Sequence, residues 1–262
     1  MKALIMNRRH FLTSAGVAGA GLVLSSCDAF DAATERGSRM RAILESAEKL
    51  TFRTQRLLVG DSLAQEFTEA DIRQPMRPNG VVRPQDPDYL QLQSSGFNSY
   101  RLIVDGLVKQ PLSLSLDQLQ AMTARAQITR HDCVEGWSCI AKWTGVPLAA
   151  VLDRASLLPD ARFVVFHCFD TIERSLAGEV KYYESIDMID ALHPQTILAY
   201  GMNDAMLPVE NGAPLRVRVE RQLGYKMAKY IRRIELVASL EAIGDGRGSY
   251  WADRGYEWYA GI

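Results

Sequence analysis

The segment "RHDCVEGWSC", residues 130 to 139, places a histidine, two carboxylates, two thiols and a tryptophan within ten positions. Four chemistries are open to Cys133 there. It can pair with Cys139 as a disulfide, join His131, Cys139 and His167 or Cys168 around zinc, act as a nucleophile beside a histidine, or serve as the single thiolate on a soft, heavier metal. Six residues make a tight disulfide loop, the spacings match no standard zinc finger, and no local protease signature surrounds the thiol. Gly136 follows closely, so the sulfur should emerge at a turn where backbone approaches a bulky ligand.

A second group lies downstream. Arg216, Arg218, Arg221, Lys226 and Lys229 form a local basic cluster suited to phosphate by charge and by forked hydrogen bonds. Its alternative is a solvated basic face. His131 and His167 are as readily explained by packing and hydrogen bonding as by a site role. Trp137, Trp143 and the tail "YWADRGYEWY" either shield a site or fill a core.

The elements that position these residues alternate strand and helix. "YRLIVDGLV" reads as a strand into a turn, "SLDQLQAM" as a capped helix, "AQITRHDC" as a strand leading to the cysteine, and "VPLAAVLDRA" as a helix. "RFVVFHCF" is a buried strand. "APLRVRVE" alternates, with Leu215, Val217 and Val219 on one face and Arg216 and Arg218 on the other. From Arg73 to Asp88, four prolines and a glycine predict a long irregular or extended wrap. The mixture predicts an α+β (mixed α/β) fold with a largely antiparallel or mixed sheet. No glycine-rich nucleotide loop is present, because "GDGRG" near Gly244 lacks the strand and helix that such a loop needs.

The start of the chain sets the expected compartment. Arg8 and Arg9 precede an uncharged Gly/Ala-rich run from Ala15 to Leu24, the layout of an export signal of twin-arginine type. "LSSC" at Leu24 to Cys27 resembles a lipobox, which would leave Cys27 lipidated and the protein tethered without spanning the membrane. The expected organisation is a signal over residues 1–26, a tether over 27–38 and a single domain over 39–262. The expected location is periplasmic, tethered to the inner membrane. Lys and Arg number 30 against 31 Asp and Glu, for a net charge of −1, so there is no general basic field for nucleic acid. Four cysteines in all exclude a disulfide-dense scaffold.

"CVEGWSCIAKWTGVPLAAVL" together with "ENGAPLRVRVERQLGYKMAKYIRRIEL" resembles the sulfite-oxidase-type molybdopterin oxidoreductases, within them the periplasmic methionine sulfoxide reductase catalytic subunits. The resemblance runs roughly from Phe97 to Leu236. It implies a sulfite oxidase-like molybdopterin-binding domain with a mixed sheet and flanking helices. It also implies molybdenum with one pyranopterin dithiolene, bound through Cys133. By the same resemblance Asn211, Arg216, Met227, Ala228 and Lys229 contact the pterin and its phosphate. Cys168 stands where that branch has a threonine, so it is either a pterin-side contact or a buried structural thiol. Asn79 in "RPNG" is the upstream pterin contact or a simple turn residue.

Sulfite-oxidising members follow the metal-binding cysteine with a cationic stretch, whereas this chain has Val134, Glu135, Gly136 and Trp137. A carboxylate beside the metal ligand repels a doubly charged anion. The resemblance therefore implies two-electron oxygen-atom transfer from a neutral S- or N-oxide, with Glu135 positioning water or relaying a proton. Sulfite dehydrogenation is the alternative reaction, and a lipoprotein that binds a pterin or a partner without turnover is the alternative class. No haem-attachment or iron–sulfur spacing occurs, so electrons must come from a partner. A membrane-bound haem subunit or a soluble cytochrome is expected.

Overall fold

A computed structural model describes residues 39 to 262 apart from 60–61 and 176–177. The expected signal and tether, with Arg8, Arg9 and Cys27, lie outside the described residues. The chain divides into two units after Gly60. In the first, helix α1 spans Arg39–Val59, and its Ile43 and Leu50 are exposed. No helix among the described residues is long and apolar enough to cross a membrane.

The second unit, from Asp61 onward, combines two five-stranded sheets with short helices, so the expected mixture of α and β is what forms. Helix α2 (Pro87–Ser94) is started by Asp86, whose side chain accepts from the Tyr89 N–H. Strand β1 (Arg101–Gly106) runs antiparallel to β2 (Leu112–Ser115). Ser115 then opens α3 (Leu116–Gln120) through a reciprocal capping box with Gln118. Strands β3 (Arg125–Cys133) and β4 (Trp137–Pro147) form a hairpin, followed by α4 (Leu148–Ala155). Then come β5 (Phe163–Ser175), β6 (Gly178–Asp187), α5 (Met188–Ala191), β7 (Ile197–Met202), β8 (Ala205–Met206), β9 (Arg216–Arg218) and β10 (Ile231–Val237).

The first sheet has the order β2-β1-β10-β5-β6, with β1 and β10 parallel and the other pairs antiparallel. The second has the order β3-β4-β7-β8, with β9 on β7. Leu102, Val164, Phe166 and Ile234 from the first sheet share one core with Val146, Leu198 and Val217 from the second and with Leu148, Val151 and Leu152 of α4. The other face of the second sheet is buried too, under a smaller cluster of Met76, Cys139, Ala141, Trp143, Ile197 and Ala199. This is why β7 reads as an almost unbroken apolar run.

The proline-rich segment is an extended wrap, as its composition predicts. The Phe67 N–H donates to the Ile128 carbonyl and the Arg73 N–H to the Ile140 carbonyl, so the wrap is stitched to the hairpin that ends in Cys133. In "GDGRG" the Asp245 and Arg247 N–H groups donate to the carboxylate of Asp253.

Candidate functional site

Cys133 is the last residue of β3, and residues 134–136 turn the chain into β4. The Gly136 N–H donates to the Cys133 carbonyl at 3.0 Å, with Gly136 at a φ of 82°, the left-handed conformation that closes a three-residue hairpin loop. The thiol is therefore presented at a hairpin tip, free and partly exposed. Burial pushes its pKa up, backbone N–H groups of the turn oppose that, the Glu135 charge raises it further and Arg77 pulls it down. Glu135 is held in place by the Trp137 Nε1–H at 2.9 Å, and the Arg77 guanidinium stands 4.9 Å from the centre of the Trp137 ring.

The competing readings of this cysteine find no support in the geometry. Cys133, Cys139 and Cys168 are all free thiols, and Cys139 is buried in the Trp143 cluster. Among the described residues, no three His, Cys, Asp or Glu side chains are gathered to hold a metal ion. His131 is fully buried and lies 2.9 Å from Arg218 Nη1 through its Nδ1. A guanidinium only donates, so Nδ1 accepts and the ring proton sits on Nε2, which has no partner. Burial, then the charges of Arg218 and Arg216, hold the ring well below the usual imidazole range and therefore neutral. His167 lies on β5 of the other sheet, bonded to Glu235 at 2.8 Å.

The basic cluster is neither a solvated face nor a single phosphate-binding patch. All five side chains are buried, Arg216 and Arg218 on β9, whose three residues are all buried, and Arg221, Lys226 and Lys229 in the segment that follows it. Arg218 forks onto Glu220 at 2.9 and 2.7 Å, Arg221 pairs with Asp190 at 2.8 Å, and Lys226 pairs with Glu184 under the Trp258 ring. Buried carboxylates thus occupy three of the five cations, as low dielectric demands. Arg216 and Lys229 have no carboxylate partner. Arg216 donates through Nη1 to the Asn211 carbonyl at 2.8 Å, and its Nε and Nη2 are buried without partners, as is Asn211 Nδ2. Burial, then Arg218, lowers the Arg216 pKa to about 9. Lys229 donates to the carbonyls of Asn79, Val81 and Glu210 at 2.5, 2.7 and 3.1 Å, and burial, then Arg216, lowers its pKa to about 7.

Gly212 joins these two cations. Its φ is 116°, and a Cβ there would stand 3.0 Å from the Lys229 Cβ and 3.3 Å from that of Arg216. Two buried basic side chains without a carboxylate partner, Arg216 with two orphaned donors and Lys229 bonded only to carbonyls, converge on a glycine and are the electrostatic complement of an anionic group. One free thiolate with no second protein ligand nearby suits a metal whose remaining sites are filled by a chelating cofactor. The residues present fit molybdenum pyranopterin.

A cavity of about 100 Å³ brings Asn79, Cys133, Glu135, Met227 and Lys229 together. Arg216, Asn211 and Ala228 lie buried outside its lining, and Cys168 is packed in the main core, its thiol pKa driven well up by burial. The cavity is also lined by Trp251, from the aromatic tail expected to shield a site or fill a core, and by residues that sequence reasoning missed: Asp170, Tyr182 and Tyr225. Asp170 carried one signal, a carboxylate closing the apolar run "RFVVFHCF". The tyrosines carried none. A larger cavity, about 440 Å³, is lined by Arg83, Leu90, Gln93 and Glu210 among others and takes in none of the predicted site residues.

The family described as "Oxidoreductase molybdopterin binding domain" matches residues 89–242. A protein of Azospira oryzae named "Putative protein-methionine-sulfoxide reductase subunit YedZ1" is 42% identical over 163 residues, 62% of this chain and 56% of that protein. The protein-methionine-sulfoxide reductase catalytic subunit MsrP of Ralstonia nicotianae is 34% identical over 174 residues, 64% of this chain and 48% of its own length. The chain thus spans about half the length of the curated relatives it matches. The crystal structure of the sulfane dehydrogenase SoxCD from Paracoccus pantotrophus is 22% identical with a TM-score of 0.49, covering 59% of this chain and 45% of that one.

Proposed function

We propose, because this chain belongs to the oxidoreductase molybdopterin-binding domain family, that it reduces a neutral sulfoxide or N-oxide by two-electron oxygen-atom transfer. The observation that carries this reading is the cavity in which the free Cys133 thiol and the Glu135 carboxylate stand together. Molybdenum on its pyranopterin, when bound, supplies the oxygen-accepting and two-electron chemistry.

The chain's own residues do the rest. Cys133 offers the one sulfur ligand; burial and the Glu135 charge raise its pKa, and the turn's N–H groups and Arg77 oppose that only in part. Arg216 and Lys229 meet the cofactor's anionic phosphate, and Asn211, Met227 and Ala228 border it. Glu135, oriented by Trp137, holds water or passes a proton, and its charge beside the ligand disfavours sulfite. The names of the two relatives, each a protein-methionine-sulfoxide reductase subunit, favour a sulfoxide over an N-oxide. Electrons come from a membrane-bound haem subunit or a soluble cytochrome. The protein acts in the periplasm, exported through Arg8 and Arg9 and tethered at Cys27.

Purified, cofactor-loaded protein should reduce neutral sulfoxides with an artificial donor at least about tenfold faster than it oxidises sulfite, a barrier difference of ~1.4 kcal/mol. Efficient sulfite oxidation without sulfoxide turnover would reverse the assignment.

A further inference from the structure

Six carboxyl side chains are buried among the described residues, and one differs from the rest. Asp86, Glu184, Asp190 and Glu220 each pair with a cation, and Asp253 accepts from the Tyr183 hydroxyl and two backbone N–H groups. Asp170 is 4% exposed, and no ion pair is formed by it. Its Oδ1 is buried without a hydrogen-bond partner, yet the residue lines the same cavity as Cys133 and Glu135.

Local backbone places it there. The pairing of β5 with β6 shifts register between His167 and Thr171, and the consecutive residues Cys168 and Phe169 both join the core. Strict alternation fails at that point, as it does at bulges that re-aim a side chain. The next residue is Asp170.

We infer that Asp170 is the proton-holding residue of the cavity and delivers a proton that lets the substrate oxygen leave as water. This rests on the proposed reduction of a sulfoxide. The step balances: one sulfoxide, two electrons and two protons give one thioether and one water. The S–O bond breaks, sulfur is reduced, and two equivalents of a reduced haem-type carrier supply the electrons. One proton comes from the Asp170 carboxyl and the other from solvent, which then reprotonates the carboxylate. An unpaired carboxyl in low dielectric keeps its proton at neutral pH, which a donor acting there requires.

The charges around it agree. Burial raises the Asp170 pKa to about 7, with Lys229 and, more weakly, Lys181 pulling it down. Cys168 on its own strand, Tyr182 on β6, Tyr89 on α2 and Tyr230 ahead of β10 are kept neutral by burial, and Cys133, Glu135 and Tyr225 share the cavity with it. A bound phosphate engaging Lys229 weakens the largest opposing charge and leaves the carboxyl raised.

Infrared titration of the purified chain, with aspartate isotopically labelled, reads this without turnover. A protonated carboxyl band present at pH 6 should titrate near neutrality and be missing from Asp170→Asn. A band that titrates in the ordinary range near ~4, or survives the substitution, overturns the inference. In cofactor-loaded protein, Asp170→Asn should lower sulfoxide kcat by about a hundredfold with unchanged pterin content, and Asp170→Glu should restore part of it with a displaced pH profile. Wild-type kcat and pH profile in Asp170→Asn would also overturn it. If Asp170→Asn does not fold, the titration of the wild type and the pH profile of Asp170→Glu decide. Should the wild type turn over no sulfoxide at all, the functional reading fails, while the infrared titration still tests Asp170.

Discussion

Arg216 and Arg218 sit two residues apart on β9, both over the Trp143 ring at 4.9 and 4.3 Å, yet their surroundings give them opposite roles. Arg218 is saturated by Glu220, His131 and the Arg130 carbonyl, so it is part of the folded chain's own charge balance. Arg216 is buried with two nitrogens unsatisfied, which costs about 1–3 kcal/mol per orphaned group unless a ligand meets them. Replacing each with methionine should separate the roles. Arg218→Met leaves the buried Glu220 without its cation and should destabilise the cofactor-free protein by roughly 3–5 kcal/mol. Arg216→Met should leave that stability unchanged or improved, while the protein purified from a cofactor-competent host loses pterin. Denaturation midpoints and pterin content check both. The account of Arg216 fails if its loss unfolds the protein as Arg218→Met does and spares the pterin.

Among the elements, legibility in the sequence followed the range of the forces involved. The strand ending in Cys133, the capped helix after Ser115, the helix after Pro147 and the extended proline-rich wrap all formed where local pattern placed them, whereas the partner strand β4 was not anticipated. Their determinants lie within a few residues: alternation, a capping box, Gly136 at a turn. The alternation of β9 was also legible, but its consequence was not. Whether Arg216 and Arg218 face water depends on the layer that covers β9, and although Glu220 lies at strand spacing from Arg218, Glu184 and Asp190 pair with Lys226 and Arg221 from positions that no periodicity connects. Asp170 escaped for a related reason, since a register shift against β6 decides its direction. Of the candidate site, the residues carried by resemblance were named in advance, and the cavity unites Asn79, Cys133, Glu135, Met227 and Lys229. The Asp170, Tyr182 and Tyr225 that also line it required the fold.

For the whole molecule, the proposed twin-arginine export makes a prediction about where the cofactor is inserted, since that route is associated with proteins folded before export. Replacing both Arg8 and Arg9 with lysine should hold folded, cofactor-containing protein in the cytoplasm, read by fractionation. Undiminished export would assign the signal to the unfolded-chain route instead. The central claim is that a single thiolate, Cys133, joins the molybdenum to this chain while the pterin is anchored elsewhere. It is tested most directly by measuring molybdenum, pterin and turnover together in Cys133→Ser, Cys139→Ser and Cys168→Ser purified from a cofactor-competent host. Cys139 and Cys168 are packed in separate apolar clusters, so their loss should appear as stability and leave the metal nearly intact. Cys133→Ser should abolish turnover and disturb the metal while much of the pterin stays on Asn211, Arg216 and Lys229. Normal activity in Cys133→Ser, or an equal release of metal from Cys139→Ser, would contradict the claim.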